Sequence, residues 1–165
     1  MRAAHSTVLI RPATEHDAAA IAAIEHASFT HPGERFSPRR VRYLIRSPRV
    51  EVIVAEEHGS VVGWAAGFVR RRASTPWARV HAVAVDPRAR GRNVGRMLME
   101  HIIEMLVKQG AMRIFLEARA DNHAALRLYH KLGFVECGTL PNYYGHDVAA
   151  IRMVRIMASS PAASP

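Results

Sequence analysis

The chain has very little cysteine and no long apolar run. Its single cysteine, Cys137, cannot form an intramolecular disulfide, which fits a reducing compartment. No apolar stretch approaches the roughly 20 residues that a membrane-spanning helix needs, and residues 1–6 lack the apolar segment of a signal peptide. We therefore expect a cytoplasmic protein with no membrane attachment. Cys137 lies in a predicted late strand, where we expect a buried, inert thiol.

Motifs for metal and nucleic-acid binding are also missing. The ten histidines form no metal-binding pattern, and neither a helix-turn-helix nor an RNA-binding aromatic motif is present. We therefore predict no metal site and no direct nucleic-acid site. Acidic residues are few, 14 against 23 Lys and Arg, and the net charge is +9. Such a charge suits an anionic ligand, nucleic acid or an acidic partner such as a ribosome surface.

The length of 165 residues and the hydrophobic content of 49% suit one globular domain, which we place at residues 1–157. Small residues and prolines predict a disordered tail over residues 158–165. The sequence leaves open whether the protein is a monomer or a homodimer.

Hydrophobic periodicity and turn residues predict an α/β (α+β) fold, a mixed and mostly antiparallel sheet of about seven strands with four helices. The predicted strands are residues 8–11, 50–56, 61–69, 77–85, 113–118, 134–140 and 148–157. The predicted helices begin at Thr14, Ser37, Val94 and Asn122, and end near Phe29, Arg46, Gly110 and Leu132.

A strand ending in Val83, Ala84 and Val85 breaks at a proline into a loop rich in arginine and glycine, and a helix follows from Val94. A helix N-terminus offers unpaired N–H groups and partial positive charge. The sequence therefore predicts a pyrophosphate cradle, in which the arginines supply mobile countercharge. Neither the P-loop pattern nor the dinucleotide-binding glycine pattern is present. The predicted cradle residues are Arg90, Gly91, Arg92, Asn93, Val94, Gly95 and Arg96.

Residues 90–95 resemble the acetyl-CoA motif of the GNAT superfamily of N-acyltransferases, Gln/Arg-x-x-Gly-x-Gly/Ala. Asn93 replaces the first motif glycine, and asparagine tolerates a positive φ better than most residues. The resemblance continues in order through residues 113–122, 125–134, 142–144 and 147–153. It covers roughly residues 7 to 157 and is strongest to the RimI-like branch, which acetylates protein N-terminal amines, including that of a ribosomal protein.

The resemblance implies the GNAT fold, acetyl-CoA as cofactor and direct transfer to a primary amine. Backbone groups of Val83, Ala84 and Val85 would bind the pantetheine arm. Asn122 would contact the same arm, and Tyr129, seven residues later on the same helix face, would protonate the departing thiolate.

For the general base the resemblance implies Glu117. His81, on the preceding strand, is the alternative base, because an imidazole titrates close to neutral pH. A proton relay through both residues is a third hypothesis. Tyr143 and Tyr144 would wall the entrance for the peptide. Without the resemblance, Tyr129 reads as a core anchor and the tyrosine pair as an aromatic cover of the core.

The expected acceptor is the α-amine of a protein or peptide, with a ribosomal protein or ribosome as a candidate partner. An α-amine loses its proton about 2.5 pH units below a lysine, so a modest base suits it better. Two alternatives remain: an acetyltransferase for a small amine such as a polyamine, amino acid or aminoglycoside, and a non-catalytic basic module that binds RNA or the ribosome.

Overall fold

The computed structural model describes residues 7–71 and 74–158. The predictions for residues 1–6 and for the tail from residue 159 lie outside these residues. The described part contains seven strands in one sheet, ordered β1-β2-β3-β4-β5-β7-β6, and four α-helices, as predicted. The strands are β1 Leu9–Pro12, β2 Val50–Glu57, β3 Ser60–Arg70, β4 Trp77–Val85, β5 Arg113–Arg119, β6 Val135–Leu140 and β7 Ala150–Ile156. The helices are α1 Ala18–Ser28, α2 Pro38–Arg46, α3 Val94–Lys108 and α4 His123–Lys131.

The helix starts follow the local sequence, with one difference from the prediction. Thr14 precedes a 3₁₀ turn, in which the N–H of Asp17 donates to the Thr14 carbonyl three residues back, and α1 begins only at Ala18. The Asp17 carboxylate accepts from the Thr14 N–H at 2.7 Å, which fixes this tighter turn. At α2 the Ser37 hydroxyl accepts from the N–H of Arg40, as expected of an N-cap.

Tertiary contacts divide the chain into two compact units. In its described part, the first comprises residues 7–67 and Ala82–Ile102, and the second comprises residues 68–71, 74–81 and 103–158. The single domain predicted over residues 1–157 stays a prediction. The core of the first unit contains Ala18, Ile21, Ile24, Val41, Leu44, Val52, Val54, Trp64, Ala66 and Ala84.

Gly63 lets the first turns of α3 approach β3 closely within the first unit. A Cβ atom on this glycine would lie 2.9 Å from Leu98 Cδ1, 3.1 Å from the Ala84 carbonyl oxygen and 3.3 Å from Val94 Cγ1. A side chain there would push against α3 at the turn that begins the predicted cradle. The absence of a side chain at Gly63 therefore sets the position of the cradle helix.

Glu25 of α1 is a carboxyl group buried in the first unit, with 1% of the residue exposed. Its Oε1 accepts from the indole N–H of Trp64 at 2.9 Å, and its Oε2 accepts from the backbone N–H of Phe36 at 3.2 Å. Burial raises the pKa of Glu25 to about 7, and the two hydrogen bonds oppose that shift. The carboxyl group thus ties the segment after α1 to β3.

Replacing Glu25 by Gln should make the free energy of unfolding less dependent on pH. In the wild type the unfolded chain ionises Glu25 first, so stability falls as pH rises from about 4.5 to about 7. The difference between these two pKa values corresponds to a loss of about 3 kcal/mol in the free energy of unfolding. The check is urea unfolding at pH 5 and pH 8. The free energy of unfolding of Glu25→Gln, relative to that of the wild type, should be higher at pH 8 than at pH 5. A difference between the two proteins that stays constant with pH would contradict this.

In the second unit β5 pairs antiparallel with one edge of β7, and β6 pairs antiparallel with the other edge. Strand β4 pairs parallel with β5 from Trp77, opposite Arg113, to Arg79, opposite Phe115. The register of β5 and β7 places Glu117 directly opposite Arg152.

The prediction of a buried Cys137 is wrong. Cys137 is a free, exposed cysteine on β6. Its strand is the last of the sheet, and the pairing with β7 shifts between Glu136 and Gly138, so Cys137 sits at an irregularity in an edge strand. An edge position with little covering it leaves the thiol in contact with solvent.

Candidate active site

The loop before α3 has the backbone conformation that the cradle prediction requires. Gly91 has a φ of +73° and Asn93 a φ of +62°, so asparagine does adopt the left-handed conformation in place of the motif glycine. A Cβ on Gly91 would meet no atom within 4 Å, so the space beside it is open. The first hydrogen bond of α3 runs from the Met97 N–H to the Asn93 carbonyl.

This geometry fits an anionic group. Helix α3 has 15 residues, and the N–H groups of its first three residues, Val94, Gly95 and Arg96, point out of the helix end. The open face at Gly91 allows a phosphate to approach the backbone. The residues present therefore suit the pyrophosphate of coenzyme A.

The arginines of the loop are paired with carboxylates or a backbone carbonyl, whereas the sequence predicted arginines that supply mobile countercharge. Arg88 pairs with Asp86 at 2.8 Å, Arg92 with Glu57 at 2.9 Å, and Arg96 with Glu100 at 2.8 Å. The Nε of Arg90 donates to the Val85 carbonyl at 3.3 Å. These arginines are largely exposed, so such pairs are weak and each guanidinium can exchange its partner for a phosphate.

Val85, one of the three residues predicted to bind pantetheine, has its carbonyl engaged. It accepts from the Ser28 hydroxyl and from Arg90, both at 3.3 Å. Val83 and Ala84 precede it at the end of β4.

Glu117 lies in the second unit, where it is held by two arginines. Its side chain is 4% exposed; Oε2 lies 2.8 Å from Arg79 Nη2, and Oε1 lies 3.0 Å from Arg152 Nη2. The buried side chain faces a cleft rather than bulk solvent. Both carboxylate oxygens are therefore engaged by guanidinium groups.

Tyr143 and Tyr144, between β6 and β7, join this cluster. The Tyr143 hydroxyl accepts from Arg79 at 2.6 Å, and the Tyr144 hydroxyl donates to the Glu117 carbonyl at 3.2 Å. Their rings are in edge contact, with centroids 4.9 Å apart. The structure thus brings together Glu117 and both predicted substrate-binding tyrosines.

Asn122 and Tyr129 are both set by α4. The Asn122 side-chain oxygen accepts from the Ala125 N–H at 3.2 Å, so Asn122 is the N-cap and its amide nitrogen is the group it can offer a ligand. Tyr129 is half-buried and packs its ring edge-on against Phe134, with centroids 6.2 Å apart. Burial raises the pKa of the Tyr129 hydroxyl to about 12, so it keeps its proton at neutral pH.

His81, the alternative base, is half-buried on β4, with its ring 6.3 Å from that of Phe68. It belongs to the second unit, as Glu117 does.

Sequence reasoning missed a basic pocket of about 410 Å³ in the second unit. Its lining includes Trp77, Arg79, Arg113, Phe115, Glu117 and Arg152. The signal was available: on β5 the buried residues Ile114 and Leu116 alternate with Arg113, Phe115 and Glu117, which must therefore share the opposite face.

The described residues hold neither a metal-binding cluster nor a membrane-spanning helix. Between residues 7 and 158, leaving aside 72 and 73, no three His, Cys, Asp or Glu residues are grouped to hold a metal ion. In the same part of the chain, no helix has the length and apolar character needed to cross a membrane.

The family model of the Acetyltransferase (GNAT) family matches residues 18–134. A relative named N-alpha-acetyltransferase RimI, from Mycobacterium tuberculosis, is 32% identical over 156 residues, which are 92% of this chain and 96% of that protein. A ribosomal protein bS18-alanine N-acetyltransferase from Salmonella typhimurium is 43% identical over 83 residues. That match spans 48% of this chain and 56% of the Salmonella protein, so it covers only about half of each.

Among solved structures, the ribosomal-protein-S18-alanine N-acetyltransferase from Escherichia coli has a TM-score of 0.81 and 26% identity. The superposition covers 96% of this chain and 99% of the other. The architecture and the sequence motifs therefore point to the same group of proteins.

Proposed function

Since the chain belongs to the GNAT family of acetyltransferases, whose acetyl donor is acetyl-CoA, we propose that it acetylates the N-terminal α-amine of a protein or peptide. The observation that carries this proposal is one cluster: Glu117 lines the pocket, Tyr143 is hydrogen-bonded to Arg79 of the pocket lining, and Tyr144 is hydrogen-bonded to the Glu117 carbonyl. The relative from Mycobacterium tuberculosis, similar along nearly its whole length, is named for the same activity. A ribosomal protein is accordingly the first acceptor to test.

The resemblance to the family implies a role for each residue, and the surroundings of the residues support these roles. Acetyl-CoA, when bound, supplies an acetyl group on a thioester. The open loop at Gly91 and Asn93 and the start of α3 would hold its pyrophosphate, and Asn122 its pantetheine arm. Tyr129 holds a proton at its hydroxyl oxygen, because burial raises its pKa to about 12, and is therefore suited to act as general acid.

Glu117 is our proposed base. It is a carboxylate at the pocket, next to the two tyrosines that would form the peptide entrance, and it would take the proton of the acceptor amine. An α-amine is only partly protonated near pH 8, so a weak base suffices to keep it neutral. His81 on β4 is the alternative, in the same unit.

The charge of the pocket argues against a polyamine or aminoglycoside acceptor. Three arginines and one glutamate line it, so a polycation would meet repulsion. A non-catalytic role in RNA binding is disfavoured because the chain keeps both Glu117 and Tyr129. We further propose the cytoplasm as its compartment.

The test measures free thiol released from acetyl-CoA with N-terminal peptides, lysine peptides, polyamines and aminoglycosides, alongside binding of acetyl-CoA. We expect turnover on peptides with a free α-amine, including one that begins with alanine, and none on the same peptides after N-terminal blocking. Turnover confined to lysine side chains or polyamines would refute the proposed acceptor. A protein that does not bind acetyl-CoA would refute the proposed cradle.

A further inference from the structure

We infer that the pocket beside Glu117 binds an acidic side chain of the acceptor, so that the enzyme prefers N-terminal segments with Asp or Glu within their first four residues. The inference rests on the proposed function, because it concerns the acceptor of the same site. It adds a substrate class: α-amines followed closely by a carboxylate.

The charges of the pocket carry the first step. Three guanidinium groups line it, and the single carboxylate of Glu117 is shared by Arg79 and Arg152. Arg113 makes no ion pair with any residue in 7–71 or 74–158. The pocket therefore has an excess of positive charge, with Arg113 as the guanidinium that an incoming carboxylate can take without displacing Glu117. Arginine is well suited to this, because its fork of N–H groups matches a carboxylate.

The walls of the pocket strengthen such a contact. Trp77 and Phe115 are in edge contact, with ring centroids 5.9 Å apart, and both line the pocket beside the arginines. Arg113 is an exposed residue, but the two rings keep water away from one side of the pocket, and an ion pair is stronger in a medium of lower dielectric constant. A volume of about 410 Å³ exceeds that of a lone carboxylate and suits a short stretch of peptide.

The spacing along β5 sets the position of the acidic residue. Arg113 precedes Glu117 by four residues on the same face of the strand, a distance of about 13 Å at the usual rise. An extended peptide advances about 3.3 to 3.6 Å per residue. With the α-amine at Glu117, a side chain from the third or fourth residue of the acceptor would reach Arg113.

The experiment compares kcat/KM for peptides that begin with alanine and carry Glu, Gln or Lys at position 2, 3 or 4 of an uncharged background. We expect Glu to be preferred over Gln by about tenfold at position 3 or 4, and less at higher salt. Arg113→Gln should bring this ratio close to one, Arg113→Lys should retain part of it, and Arg113→Glu should favour Lys over Glu. The control is Arg49→Gln, which removes one charge at an exposed arginine outside the pocket lining.

Equal kcat/KM for Glu and Gln peptides in the wild type would overturn the inference while leaving α-amine acetylation intact. A Glu preference that survives both Arg113→Gln and Arg113→Glu would overturn the assignment to this pocket. Failure of the proposed function looks different, because then no peptide α-amine is acetylated at all while another amine on the panel is. Thermal unfolding of each variant, measured in parallel, establishes that the comparison is made on folded protein.

Discussion

Replacing Tyr129 by Phe is expected to lower kcat by about 100-fold or more, while the Kd for acetyl-CoA stays within about twofold. The substitution removes only the hydroxyl group. The ring keeps its edge contact with Phe134, 6.2 Å between centroids, so the packing of α4 is preserved. The proton that the hydroxyl holds for the leaving group is lost.

The pH profile gives this prediction a second readout. Because the pKa of Tyr129 is raised to about 12, its hydroxyl stays protonated through the working pH range. The wild-type kcat should therefore show no loss from tyrosine ionisation below about pH 10. Tyr129→Phe should lower kcat by the same factor at pH 7 and at pH 9.

The matched control is Tyr43→Phe, since Tyr43 lies on α2 with 73% of its surface exposed. This variant should have wild-type kcat and Kd. If Tyr129→Phe weakens acetyl-CoA binding as much as it lowers turnover, Tyr129 is a structural residue and the general acid lies elsewhere.

The elements were predictable because their signals are local. Helix caps, the 3.6-residue period and turn residues act over a few positions, and even the positive φ of Asn93 follows from the side chain's own preference. The backbone of the predicted cradle, which consists of one strand end, one loop and one helix start, was therefore predictable from the sequence, and its binding role stays a prediction.

The arrangement around Glu117 was not predictable in the same way. It depends on the register between β5 and β7, which sets Glu117 opposite Arg152, 35 residues further along the chain. The contact of Glu25 with Trp64 spans 39 residues and likewise depends on packing. The predicted burial of Cys137 is wrong for a related reason, because the residues of a strand do not reveal that the strand lies at the edge of the sheet.

Replacing Glu117 by Gln is expected to lower kcat/KM for a peptide α-amine by about tenfold at pH 7. Glutamine has nearly the same volume and keeps one oxygen as an acceptor for the guanidinium groups of Arg79 and Arg152, but it cannot take a proton. At pH 7 most of an α-amine with a pKa of about 7.7 to 8.0 carries its extra proton. The variant must therefore rely on the small neutral fraction.

A base and a positioning residue can be separated by raising the pH. Above about pH 9 the acceptor amine is mostly neutral without help, so the deficit of Glu117→Gln should shrink if Glu117 removes the amine's proton. A deficit that is equally large at pH 7 and pH 9 would mean that Glu117 acts only by holding Arg79 and Arg152, 2.8 and 3.0 Å away. If His81→Gln shows the pH-dependent deficit instead, the base is His81. Glu136→Gln, at an exposed carboxylate of β6, should leave kcat/KM unchanged at both pH values.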